Sequence, residues 1–210
     1  MVIDIIKGSN SNIIGVSESN AQVNKADIMS KRHKIFEGYS IEDKIWQGYG
    51  LARYSIYVRK DLIYKRRKDL ENEVNACIVI EIKCSKGKKL FIVGAYRQWR
   101  GKAPTCNYNN YENDHQVLRF KDLLSIFTNV SKLGKTVVMG DLNLDRHEPN
   151  DPMGRDELKD LIPLLEDFME DQNMTLLNKV PTRHHAHHRS SLLDLYITNC
   201  PQKIYNIQNI

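Results

Sequence analysis

Apolar residues along this chain come in short bursts, and the period of the bursts changes from place to place. "NIIGVS" (12–17), "LARYSIYV" (51–58), "ACIVIEI" (76–82), "LFIVGAY" (90–96), "TVVMG" (136–140) and "LLDLYIT" (192–198) are rich in β-branched and aromatic residues. Each has the length of a strand rather than of a helix. The third and fourth flank the turn-like "CSKGKK", which predicts an antiparallel hairpin. Elsewhere the spacing widens to three or four. Val117, Phe120, Leu124, Phe127 and Val130 form one helical stripe, with Gly134 just past its end as a stop. Leu158, Leu161, Ile162, Leu165 and Met169 form a second stripe. Pro163 falls inside it, so the second helix is expected to kink or to begin near that residue. Strands joined both by a hairpin and by helical crossovers predict an α/β fold with a mixed sheet. The expected form is two sheets packed face to face with helices outside.

Length and composition narrow this only a little. The chain has 210 residues, which suits one domain spanning 1–210, and 41% hydrophobic content is enough for a sizeable core. No apolar run approaches the length needed to span a bilayer, and the first residues carry no basic and apolar leader pattern. The four cysteines, Cys77, Cys84, Cys106 and Cys200, show no C-x-x-C pair. An intracellular, reducing compartment follows as the expectation.

Charge adds a direction. The net charge of +5 leans towards anionic partners. Arg59–Lys68 holds six basic residues and one acidic, with further clusters at 31–34 and 86–89. Either these are solvated turns, or several share a face and track a phosphate backbone.

The candidate chemistry lies at strand ends. Glu18 closes "IIGVSE", Tyr96 closes "FIVGAY", Asp141 and Asn143 close "VVMGDLN", and Asp194 sits among apolar neighbours in "SSLLDLYITN". Strand ends gather side chains at one rim of a sheet. Carboxylate oxygens are hard ligands suited to Mg²⁺, and a neighbouring carboxylate can position a water. Each residue also has a plainer reading. Glu18 can be a solvated turn residue, Asp141 an Asx-turn and Tyr96 a core-edge aromatic. A carboxylate amid apolar neighbours, as at Asp194, is harder to explain by packing alone.

The ordered set "NIIGVSES", "YGLARYSIYVRKDL", "FIVGAYRQW", "VVMGDLNLD", "PTRHHAHHRSSLLDLYITN" and "CPQKIYNIQNI" resembles the endonuclease/exonuclease/phosphatase superfamily. It is most similar to the endonuclease domain linked to reverse transcriptase in non-LTR retrotransposons. The resemblance implies a four-layer α/β sandwich that nicks DNA with Mg²⁺ or Mn²⁺, in the nucleus. It implies that Glu18 is the metal ligand and that Tyr96 contacts the scissile phosphate. Asp141 would activate the water and Asn143 would hold a phosphate oxygen. Asp194 would complete the catalytic rim through an S-x-x-D motif beginning at Ser191. Thr182, Ser191 and Arg97 would bind substrate. The superfamily's first strand, with its asparagine, and its closing Ser-Asp-His motif have no counterpart between Met1 and Ile210. A domain incomplete at both termini, with impaired cutting, is therefore expected. A nucleic-acid-binding remnant and a small-substrate phosphatase are the alternatives. His184 and His188, spaced i and i+4 in "RHHAHHR", suit either a Zn²⁺ site or an exposed loop facing DNA.

Overall fold

The structure is a computed structural model, and it describes residues 11–19, 36–46, 51–97, 113–144, 156–182 and 191–204. Among these, a three-stranded antiparallel sheet has the order β1–β3–β2, from β1 (Ile13–Ser17), β2 (Tyr39–Trp46) and β3 (Leu51–Arg59). A six-stranded sheet contains β4 (Tyr64–Arg66), β5 (Ala76–Lys83), β6 (Lys89–Tyr96), β7 (Lys135–Asp141), β8 (Thr175–Leu176) and β9 (Asp194–Thr198). Its order is β4–β5–β6–β7–β9–β8. The expected hairpin is present, with Ala76 opposite Tyr96 and Lys83 opposite Lys89. The β6–β7 pair is parallel, because helix α1 (Asn113–Ser131) carries the chain across between them.

The two sheets pack face to face through alternate residues of their strands. Tyr54, Ile56 and Val58 of β3 meet Ile78, Ile80 and Ile82 of β5, Ile92 and Tyr96 of β6, and Val137 and Met139 of β7. Tyr54 is the pin between them: it is buried, and its hydroxyl donates to the Met139 carbonyl at 3.1 Å. Its ring requires Gly94, where a Cβ would collide with it.

The other face of the six-stranded sheet is covered by α1 and by α2 (Asp156–Asp171). Phe120, Leu124, Phe127 and Val130 are buried there, as their spacing predicts, together with Leu161, Leu165 and Phe168. Helix α2 starts seven residues before Pro163 and continues past it, so the proline does not mark its beginning. The run of α2's apolar residues against the sheet sustains the helix there despite the missing N–H. The expected fourth layer of the sandwich lies outside the described residues. That sheet's outer face carries an apolar cluster of Ile14, Phe36 and Tyr57.

Three short or polar strands have no clear periodic signal. In β2, Glu42 and Lys44 face inward, which is the reverse of the usual pattern. They join a charged network at one edge of the sandwich. Arg66 donates two hydrogen bonds to Glu71, at 2.9 and 2.8 Å, and a third to Glu42 at 3.3 Å. Lys44 donates to the Asn72 carbonyl at 2.7 Å. Nearby, Arg67 pairs with Asp69 and Glu81, and Arg59 with Asp61. Arg59, Arg66 and Arg67 of the basic stretch 59–68 are thus each paired with carboxylates of the same chain, Arg66 largely buried and Arg59 at the surface. Of the four cysteines, the three described are free thiols.

Candidate active site

Strand register gathers the expected residues at one rim. On β7, Val137 and Met139 face the inter-sheet core, so Asp141 faces the same way. On β9, Asp194 is the register partner of Asp141, and Tyr196 is the partner of Met139. On β6, Ile92 and Gly94 bring Tyr96 to the same face. Across the sandwich, Ser17 at the end of β1 accepts the Asp141 N–H through its hydroxyl at 3.3 Å.

Glu18 follows β1 with φ of 49°, the left-handed region that favours glycine. That turn re-aims its carboxylate inward, where it accepts the Tyr96 hydroxyl at 2.5 Å. The guanidinium of Arg53 lies 3.7 Å from the same carboxylate oxygen and 5.1 Å from the centre of the Tyr96 ring. Glu18 and Tyr96, 78 residues apart in sequence, are therefore bonded side chain to side chain.

The loop after β7 is a locked turn. Asp141 Oδ1 accepts the Asn143 N–H at 2.8 Å, so the Asx-turn reading of "GDLN" is correct as far as it goes. Asn143 also has positive φ, of 50°, and its side-chain amide donates to the Arg97 carbonyl at 2.7 Å. Arg97 is only 8% exposed, and its guanidinium donates to the carbonyls of Leu142 and Asn143. Its charge is turned onto the loop that carries Asp141 and Asn143. Gly140 permits the close approach of this turn, since a Cβ there would run into the Ala95 carbonyl.

A second set of bonds fixes Asp194. The Thr182 hydroxyl accepts the N–H groups of Leu193 and Asp194, at 3.2 and 3.1 Å. The Thr182 N–H donates to the Ser191 carbonyl at 2.9 Å. Asn178, which sequence reasoning did not single out, donates to the Asp194 carbonyl at 2.6 Å and accepts the Tyr196 N–H at 2.9 Å. No pattern in the sequence marks Asn178. Arg53 did carry a signal, a lone charge within the β-forming run "LARYSIYV". The histidines at 184 and 188 lie outside the described residues.

The electrostatics follow from this crowding. Burial, reinforced by the negative charges of Asp194 and Glu18, pushes the Asp141 carboxyl up to about 7. Burial and the bond to Glu18 hold the Tyr96 phenol well above its usual range. Among the described residues, no three Asp, Glu, His or Cys side chains close around one point. Mg²⁺ needs only one or two carboxylates when it keeps its waters. The Glu18 side chain, 54% exposed and next to two further carboxylates, fits that mode of binding.

The arrangement of strands and helices agrees with that of known structures. The sequence model described as endonuclease-reverse transcriptase matches residues 105–209, half of the chain. The chain belongs to the endonuclease-reverse transcriptase family. The endonuclease domain of TRAS1, a telomere-specific non-LTR retrotransposon, superposes with a TM-score of 0.59 at 17% identity, over 93% of this chain and 75% of that one. ANGEL2, a 2′,3′-cyclic phosphatase, gives 0.61 at 14%, over 94% and 72%. A Staphylococcus aureus beta toxin gives 0.53 at 13%, over 94% and 76%. At these identities the likeness is one of fold, shared by this endonuclease-reverse transcriptase member with proteins of differing chemistry. No curated protein matches by sequence. No described helix is long and apolar enough to cross a membrane.

Proposed function

We propose that residues 1–210 form a single phosphodiesterase domain that nicks DNA in the nucleus, leaving a free 3′-hydroxyl. The observation that carries this reading is the convergence of Glu18, Tyr96, Asp141 and Asp194 on one rim, with Asp141 tuned to about 7. A carboxylate with that affinity for protons is matched to general-base work near neutral pH. Asp141 takes the proton from the attacking water. Burial chiefly, with the repulsion of its register partner Asp194 added, keeps the Asp141 carboxyl basic. The Tyr96 hydroxyl donates to the phosphate or the leaving oxygen once Glu18 is engaged elsewhere. Asn143 offers its side chain to a phosphate oxygen. Ser191 meets the DNA backbone, while Thr182 and Arg97 act through the loops they fasten. Mg²⁺ or Mn²⁺ held by Glu18 would supply charge stabilisation at the phosphoryl oxygens.

Nicking of supercoiled plasmid tests this directly. The expected result is cutting that requires Mg²⁺ and is lost in Glu18→Ala. Undiminished cutting by that variant sinks the metal assignment. Salt-sensitive DNA binding without cutting indicates the binding remnant instead. Preferential hydrolysis of a small phosphorylated compound indicates a phosphatase.

A further inference from the structure

Arg53 is placed by an irregularity in the sheet. Along β3, Tyr54, Ile56 and Val58 face the other sheet, so regular alternation would send Arg53 outward with Ser55 and Tyr57. The ladder with β2 breaks at this point: Lys44 pairs with Tyr54, and Ile45 pairs with Ala52. Arg53 is the residue left over. A bulge of this kind re-aims a side chain. Here it brings the guanidinium to within 3.5 Å of the Tyr96 hydroxyl, 3.7 Å of Glu18 and 5.1 Å of the Tyr96 ring centre. The backbone doubles the link, since the Glu18 N–H donates to the Arg53 carbonyl at 2.8 Å.

We propose that Arg53 is a resident cation that occupies Glu18 before a divalent metal arrives and competes with it. This rests on the metal reading of Glu18 given above. Three carboxylates near one rim repel each other, and a fixed positive charge offsets part of that cost. The asymmetry of exposure supports competition over a permanent pair. The Arg53 side chain is 18% exposed, whereas Glu18 is 54% exposed. A dication approaching the exposed carboxylate meets the guanidinium's repulsion. Arg53 is thus a positioning residue: it holds Glu18 and stacks on Tyr96, and it sets how tightly the site takes metal.

The test is a Mn²⁺ titration of the native chain without DNA, with free ion read by electron paramagnetic resonance. Arg53→Gln and Arg53→Met are both expected to tighten Mn²⁺ binding, by about tenfold for a unit charge at this range. Arg53→Lys, which keeps the charge, is expected to stay within about twofold of native on the same Coulombic ground. In the Glu18→Gln background, Arg53→Gln is expected to bring no tightening. Near-ultraviolet circular dichroism identifies which neutral variant is folded. Unchanged or weaker Mn²⁺ binding in the folded neutral variant, while Glu18→Gln still weakens binding, overturns the proposal for Arg53 alone. Indifference of Mn²⁺ binding to Glu18→Gln overturns the metal reading and this inference together.

Discussion

Asp141 and Asp194 stand directly opposite each other on β7 and β9, carboxylate facing carboxylate on one side of the sheet. Like charges in that relation destabilise a ladder. Burial, reinforced by that repulsion, holds the proton on Asp141.

If Asp141 takes the proton from water, it must be ionised to work. Nicking is therefore expected to be slow below neutral pH, to rise through about pH 7 and to level off above it. Asp141→Asn is expected to lower the rate by about 10²–10⁴-fold and to remove that rise. A pH–rate profile of both proteins checks the prediction; an unshifted rise in the variant rules Asp141 out.

The same carboxyl makes stability depend on pH. Its folded value, about 7, lies above the unfolded value of about 3.9. The folded state thus binds the proton more tightly. Its contribution is complete below about pH 4 and is lost as pH rises through 7. The loss is expected to be about 2–4 kcal/mol in metal-free protein. Asp69, held down to about 2 by Arg67, acts in the opposite sense and only in acid. Urea unfolding between pH 4 and 8 measures the effect, and Asp141→Asn should flatten it.

Thr182→Val removes one oxygen that accepts two N–H groups, those of Leu193 and Asp194. A loss of about 1–3 kcal/mol is expected, with Thr182→Ser close to native. The urea midpoint reads it, at unchanged slope. A smaller shift in Val than in Ser would contradict the assigned role.

Arg66→Ala leaves Glu71, whose side chain is 4% exposed, without its two-pronged partner. Destabilisation of about 3 kcal/mol or more is expected. The slope of the salt dependence of DNA binding should change by well under one unit, because this guanidinium is turned onto Glu71 and Glu42. A lost unit of slope with unchanged stability would restore it to the binding surface.

Much of the fold was legible in the chain because its core strands are locally unambiguous. "ACIVIEI" and "LFIVGAY" are, apart from Glu81, apolar on both faces, as strands between two layers must be, and the turn between them fixes their pairing. The stripes of α1 and α2 were equally plain. β2 was not, because Glu42 and Lys44 satisfy each other's neighbourhood through Arg66 and Glu71. An inward charge looks like a solvated one until its partner, 24 residues away for Glu42 and Arg66, is known. β8 has only two residues, too few for any period to show.

By itself, the sequence determined the residue types at the strand ends, their order, and the crossover that makes β6 and β7 parallel. Period and turn chemistry are local properties, and they survive without coordinates. Only the tertiary structure decided what those residues do to one another. It turned Glu18 inward through a left-handed backbone and set Asp194 against Asp141. It also spent Arg97 on a loop and used a skipped register to deliver Arg53 to Glu18. The physical reason is range. Burial and repulsion act over a few ångströms in space, between groups that the chain keeps tens of residues apart.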